Sequence, residues 1–519
     1  MNKKYVLAGF LFWASVSGYM GIRILDSYTE DAVTAALTCI PATAREVKFS
    51  FFSKNLVLEG LQYEIPDDKV QRKGTIDHIE INGFNRKILF VLPKMPEYDP
   101  AHLPAVAESI VATGITESRH ENYARTEISL GSLELSGWRQ RLGILLDRYA
   151  RGGTDGRFFE ELYRCGIDRV QASRLRVRQE DSRNKDAFQV LVDRVVLPSG
   201  ITPPQNGENV RPLDVLLDSP SCEGAGWHFS AGRLDLLGFT PPAPSSLGQM
   251  HGFDLEKLLA ACAARAGEQP LARPAATTLR LDTCRLLAKD SGHAATLAGF
   301  SMKVGPAEAG TGIDLALKEL HIPTEALPQY ADSVERHAAG GIKCDLRFTG
   351  AFTGSGCVTS LEALLHGLGK LDLSASFSGD MHVLFSSALS QDRQQVFFKR
   401  LAEMRMERAK MTFEDSGLCA LALEIAARKA GMEPLAFLEA LDPRAGELEE
   451  GAEPDAMRDA SRILQEQLHF PGTVTAELAQ GRRPKLAQLA LTALMQPAKL
   501  PIMLSSSPGK KPMRSFFQQ

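Results

Sequence analysis

The residues that could do chemistry are scattered, and their spacing argues against most of it. Eleven histidines occur without a single H-x-x-x-H, so the two-histidine helix face of a zinc protease is missing. His78, His321 and His382 sit in alternating stretches, where a solvent-facing strand histidine is the plain reading. The eight cysteines are Cys39, Cys165, Cys222, Cys262, Cys284, Cys344, Cys357 and Cys419. They show no C-x-x-C pair and no metal-ligand spacing, so buried thiols or one or two bridges account for them. Gly354-Ser355-Gly356 lacks the first glycine of a nucleophile elbow, since Thr353 stands there, and reads as a flexible turn. Ser507-Pro508-Gly509-Lys510-Lys511 lacks the upstream glycine and the Ser or Thr of a phosphate loop. Solvated or headgroup-facing basic residues explain it. Asp168 and Asp193 could form a carboxylate pair across strands. No catalytic residue, metal or cofactor is expected.

What must position any site is a set of apolar patterns. The first is the uncharged run Tyr5–Met20, which follows Lys3 and Lys4 and continues to Ile22 before Arg23 interrupts it. Extended through Ile24 and Leu25, it approaches the roughly 20 residues that span a bilayer core. It predicts a retained single-pass anchor with the basic pair inside. A cleaved signal peptide is the competing reading, with Ser15, Ser17 and Gly18 near the cut. Either reading exports the bulk of the chain.

The second pattern is apolar-x-apolar-x-Gly followed by a bulky apolar residue. It appears at Leu56–Leu61, Ile79–Phe84, Leu133–Trp138 and Leu234–Phe239, with Leu320–Pro323 a degenerate copy. Alternation buries one face of a strand, and the glycine permits a turn or bulge. Helical spacing follows in Leu142–Tyr149, Leu255–Cys262 and Leu327–Val334, and more weakly in Leu103–Ile110. Strand, glycine and helix suggest an internal repeat of roughly 70–90 residues, longer than common solenoid periods. Between Leu130 and Leu133 the alternation changes phase, as one extra bulge residue would require.

The expected fold is α+β: an elongated, mostly antiparallel sheet with amphipathic helices on one face, behind a single N-terminal transmembrane helix. The expected parts are an anchor over 1–25, a strand-rich module over 26–240 and a strand-helix-strand module over 241–390. A helix-rich module over 391–504 and a disordered tail over 505–519 follow. In the helix-rich part, Val396–Met406 reads as a helix, Asp415 caps a helix starting near Gly417, and Ala456–Leu468 is another. Strand Thr473–Leu478 and a helical stripe from Leu486 complete it. A net charge of −4 with both signs interspersed shows no basic stripe, which argues against nucleic acid.

The anchor, the amphipathic stretch Asp31–Ile40 and the strands Val47–Phe52, Leu56–Ile65 and Ile76–Ile81 together resemble the start of AsmA-like bacterial envelope proteins. That resemblance covers residues 1–90. It implies an inner-membrane anchor, an open β-groove in the periplasm, and a role in phospholipid movement or outer-membrane assembly. The matching expectation is a protein that binds or transfers lipid or another hydrophobic envelope component. Leu56, Leu58, Ile79, Ile81, Leu133, Leu135, Leu234 and Leu236 would line the groove. The opposing reading packs the same residues under helices as ordinary core. A scaffold that holds envelope proteins by strand addition is the alternative role, and an exported hydrolase a further one.

Overall fold

The computed structural model describes residues 20, 23–35, 37, 41–65, 70–85, 107–121, 124–138, 167–181, 187–200, 212–239, 276–307, 310–379, 399, 401–441, 455–479, 481–495 and 500–517. Of these, 59% are strand and 20% helix, so the molecule is built on antiparallel sheet. Two units divide the chain. The first is Met1–Ala225 with Arg233–Ala261, and the second is Gly226–Gly232 with Cys262–Gln519.

In the first unit, β1 (Ala42–Thr43) and β2 (Glu46–Ser50) both pair with β3 (Asn55–Ile65). From there each strand pairs with the next: β4 (Val70–Asn82), β5 (Ser109–Glu121), β6 (Ala124–Ser136), β7 (Arg169–Asp181) and β8 (Ala187–Leu197). Strand β8 then pairs with both β9 (Leu213–Asp218) and β10 (Ser221–Glu223). Strand β11 (Trp227–Ser230) belongs to the second unit, while β12 (Arg233–Phe239) pairs with β9.

In the second unit β11 pairs with β13 (Thr277–Ala288). The order continues through β14 (Ala294–Ala307), β15 (Gly310–Ile322), β16 (Ile342–Thr353), β17 (Gly356–Leu365) and β18 (Gly369–Ser378). It ends with β19 (Arg405–Asp415), β20 (Thr473–Leu478) and β21 (Ile502–Ser507). Every one of these pairings is antiparallel.

Helix α1 (23–35) lies against β2, β3 and β4. Its Glu30 and Asp26 carboxylates accept the backbone N–H groups of Phe49 and Phe51, at 2.8 and 2.9 Å. No helix among the described residues is long and apolar enough to cross a membrane. Residues 5–19, the centre of the expected anchor, lie outside the described residues. The part that is described carries Arg23, Asp26, Glu30 and Asp31 in a helix that packs on the sheet. The expected transmembrane helix, and the single-pass inner-membrane location that rested on it, are corrected accordingly. The fold class is corrected with them, to a mostly antiparallel sheet with no membrane-spanning helix among the described residues. The expected helices over Leu142–Tyr149 and Leu255–Cys262 also lie outside the described residues. Ile110, assigned to a third, is instead in β5.

The helical layer of the second unit follows its sequence signals closely. Helix α2 (Ala331–His337) buries Val334 and precedes β16. Helix α3 (Leu418–Lys429) starts where the Asp415 carboxylate accepts the Cys419 N–H at 2.9 Å, an N-terminal cap. Then come α4 (434–441), α5 (Asp455–His469) and α6 (Leu486–Met495). The helix expected over Val396–Met406 is cut short, because β19 begins at Arg405 and claims the backbone of Met406 for its ladder. Residues 505–517 are not a disordered tail. Strand β21 runs to Ser507, and a 3-10 turn over Met513–Phe516 puts Met513, 1% exposed, into a core with Ala420, Leu438 and Leu468. Apolar side chains at the very end of the chain explain this, since burying Met513 removes it from water.

The glycines of the recurrent pattern all take left-handed backbone, with φ of 59° at Gly60, 66° at Gly83, 65° at Gly137 and 66° at Gly238. Their settings differ, however. Gly60 and Gly238 lie inside strands, and Gly83 and Gly137 just beyond them. The phase change in β6 does not come from an extra residue. Thr113 faces Ser132 and Ile115 faces Leu130, so one residue lies between these pairs on each strand. The two partners of Gly131 across the sheet, Gly114 and Arg174, are both left-handed, with φ of 63° and 52°. A left-handed residue turns its own strand about its axis, so β5 and β7 are the strands that it turns on either side of Gly131.

Two predictions follow from these backbones. Gly137→Val and Gly238→Val should each lower stability by about 1–3 kcal/mol. At Gly137 a β-carbon would also meet the Asp168 carboxylate at 2.0 Å. Gly299→Val, at ordinary φ with nothing nearer than 3.9 Å, is the control, and urea melts that rank all three alike would remove the argument. The second concerns Asp415, whose carboxyl burial pushes above its ordinary value against the opposing pull of its backbone hydrogen bonds. Between the ordinary aspartate pKa and the raised one, the native state holds a proton that the unfolded chain has released. Stability from this group is present below the ordinary aspartate pKa and is lost as pH rises through the raised one. Asp415→Asn keeps a capping oxygen and should flatten that part of the stability–pH curve. An unchanged curve would show that burial does not govern this group.

Candidate functional site

The eight expected lining residues fall into two register rows on the first unit's sheet. Leu58, Ile79, Ala112, Leu133 and Ala172 are successive cross-strand partners, and the row continues through Val195 and Leu217 to Leu234. Leu56, Ile81, Ile110, Leu135 and Val170 form the parallel row, and Leu236 pairs with Val215 on β9 beside it. Sequence pattern alone thus picked positions that the hydrogen-bond register aligns. At the β3 end the rows are core. Leu56 is 2% exposed and packs with Leu58, Val33, Phe49 and Phe84, with Ile79 and Ile81 against them. Further along, Leu133, Leu135, Leu234 and Leu236 are half-buried.

A groove with the character of a hydrophobic site lies instead in the second unit, between the sheet and α6. Its volume is about 610 Å³. Leu373 and Phe377 of β18, Met411 of β19, Ala476 of β20, Ile502 of β21 and Leu486 of α6 line it. Leu373, Met411 and Ala476 are direct cross-strand partners, so one sheet face supplies them. One end is walled by Cys357, Met404, Phe352 and Leu401, which pack with Phe377 and Leu486. Small Ala375, Ala409 and Ala476 leave the space open where larger residues would fill it. The sequence signal for this face was visible in the alternation of Leu371, Leu373, Ala375 and Phe377. Its role was missed because α6 had to be placed over it.

The first unit also has a polar groove of about 890 Å³, in which Tyr63 donates to the Glu117 carboxylate at 2.6 Å and Arg119 pairs with the same carboxylate. Thr75 and Thr116 share a hydrogen bond at 2.7 Å there. These contacts are satisfied among themselves and hold neighbouring strands together.

Of the groups weighed for chemistry, Asp193 lies opposite Arg174, whereas Asp168 precedes β7 beside Gly137. Counted along the strands they are about 20 Å apart, too far to share a proton. Ser355 lies in the β16–β17 turn with its N–H on the Thr353 hydroxyl at 3.3 Å. Lys511 stacks on the Phe516 ring at 4.4 Å. His78 meets the Glu59 carboxylate at 2.8 Å, and Cys222, Cys284, Cys344, Cys357 and Cys419 are free thiols. His382 lies outside the described residues. Among the described residues no group of histidine, cysteine and carboxylate side chains could hold a metal ion. The buried charges are structural. Glu424 of α3 takes Arg336 at 2.8 Å and His337 at 2.9 Å from α2, fastening the two helices together.

Residues 363–507, which contain the apolar groove, match a family described only as "Uncharacterized protein". No curated protein matches the chain. Neither finding bears on the AsmA-like resemblance.

The two row positions make opposite demands on a charge. Leu56→Asp buries a carboxylate with no partner and should cost several kcal/mol, enough to unfold a marginal domain. Leu135→Asp, half-buried, keeps water on the carboxylate and should cost clearly less. Glu134→Ala, on the exposed face, should change little. Thermal melts that find Leu135→Asp as damaging as Leu56→Asp would make the whole row closed core.

Proposed function

We propose that this protein binds a lipid or another hydrophobic molecule in the apolar groove under α6. The observation that carries the reading is the lining itself, a concave apolar face within the size range of ligand pockets, with Lys410 and Glu477 among its few polar residues. Apolar space of this size stays unfavourable in water unless something fills it. The two apolar rows of the first unit supply further hydrophobic surface, half-buried over Leu133, Leu135, Leu234 and Leu236. A scaffold role for protein partners is the second reading. What favours it is β21, which pairs only with β20 among the described residues and offers an edge for strand addition.

Ala409→Trp and Ala476→Trp test the first reading, because each fills the groove from the sheet side. Lipid that co-purifies with the full chain, identified by mass spectrometry, should be lost in both variants while their melts stay close to wild type. Lipid retained at wild-type level in folded variants would place any ligand elsewhere. A clean preparation without lipid, together with specific crosslinks at β21, would favour the scaffold.

A further inference from the structure

A second groove in the second unit, also about 610 Å³, carries cationic and hydroxyl side chains on its wall. Arg285, Thr296, His321 and Lys343 are successive cross-strand partners on β13, β14, β15 and β16. The His366 N–H then bonds the Lys343 carbonyl at 3.0 Å, and all five residues line the groove. Neighbouring strands are about 4.8 Å apart, so Arg285 and Lys343 start roughly 14 Å from each other, a span that their long side chains can close over a small ligand.

The groove lies where the strands break their regular pleat. Thr283 and Glu319 are left-handed, with φ of 54° and 50°. Left-handed backbone is uncommon for a β-branched residue, and such strain gathers at binding sites. The break also lets consecutive side chains, Thr283 to Arg285, line one groove.

The charge is left available. Arg285 and Lys343 have no carboxylate partner among the described residues. Asp345, beside the groove, is already engaged. It accepts the Glu319 N–H at 2.6 Å and the His366 Nε2–H at 2.8 Å, and these bonds hold it below the usual carboxylate range. His321 donates Nε2–H to the Gly340 carbonyl at 2.8 Å, which fixes its ring. Glu319 is the carboxylate on the wall, against two fixed cations and two imidazoles. The buried Cys284 thiol is pushed up by its burial and stays neutral.

We infer that this groove binds a phosphate group, either free or as the headgroup of a lipid, through Arg285 and Lys343 with the Thr283 and Thr296 hydroxyls between them and His321 and His366 on the wall. Arginine and lysine with hydroxyl donors are the usual phosphate-binding set. The site is separate from the apolar groove and does not rest on it.

The test uses the full chain. Inorganic phosphate is titrated by calorimetry, and phosphatidylcholine vesicles with or without phosphatidic acid are tested by flotation. Arg285→Gln and Lys343→Gln should each weaken binding by about tenfold or more, as loss of a charge-assisted contact does. Lys303→Gln, on β14 away from the groove, should leave it unchanged, and so should Ala409→Trp. Binding of inorganic phosphate identifies a free anion as the ligand. Capture only of vesicles that contain phosphatidic acid identifies a headgroup. Binding to neither probe overturns the inference, and so does binding that folded Arg285→Gln and Lys343→Gln proteins retain in full.

Discussion

A left-handed residue inside a strand withdraws its N–H from the ladder, and the sheet survives there only if another acceptor takes the proton. In two places a carboxylate from the neighbouring strand does so. Asp214 accepts the Gly238 N–H at 2.8 Å, and Asp345 accepts the Glu319 N–H at 2.6 Å. Both sit at register shifts where two residues of one strand face one of the next. An unsatisfied N–H at such a point would be costly, since the group would lose water and gain nothing. The carboxylate converts a defect into a fixed feature. In the second unit that feature lies at the groove of Arg285 and Lys343, and in the first it ends the apolar row at Leu234 and Leu236.

The helical layer obeys a different constraint. Helices α2 and α3 meet around Val334, Leu368 and Leu421, and Glu424 lies between Arg336 and His337 at their contact. Glu424 is the buried partner, and removing the groups that meet it would leave a lone charge inside. The contact fixes how the two helices sit. The Met513 core, which draws the end of the chain onto α3 and α5, works the same way through shape instead of charge.

Much of this was legible residue by residue. Alternation marked β3, β6 and β18, and the Leu-x-Leu-x-Gly pattern marked turns or bulges at glycines that prove left-handed, because only glycine adopts that backbone without penalty. Asp415 announced the start of α3. What was not legible shares one cause: it depends on which segment lies against which. Uncharged length suggested a membrane helix, yet the described continuation of that stretch is held on the sheet by Asp26 and Glu30. The basic spelling of Ser507–Lys511 suggested a loose tail, yet Met513 three-dimensionally belongs to the core. Arg174 and Thr283 gave no sign of left-handed backbone, since their conformation is imposed by the neighbours. The cationic row was invisible for the same reason, with Arg285 and Lys343 brought together only by register.

Pairing of each strand with a near neighbour in the chain has a consequence for how such a protein can change over time. Closing a loop between two partners costs free energy that grows only with the logarithm of loop length, about 0.6 kcal/mol for each doubling. Asn82 pairs with Ser109 and Ser136 with Arg169, so long segments already separate adjacent partners. Lengthening these segments leaves every ladder bond intact. The segments between such partners can thus diverge in sequence and size while the sheet keeps its register.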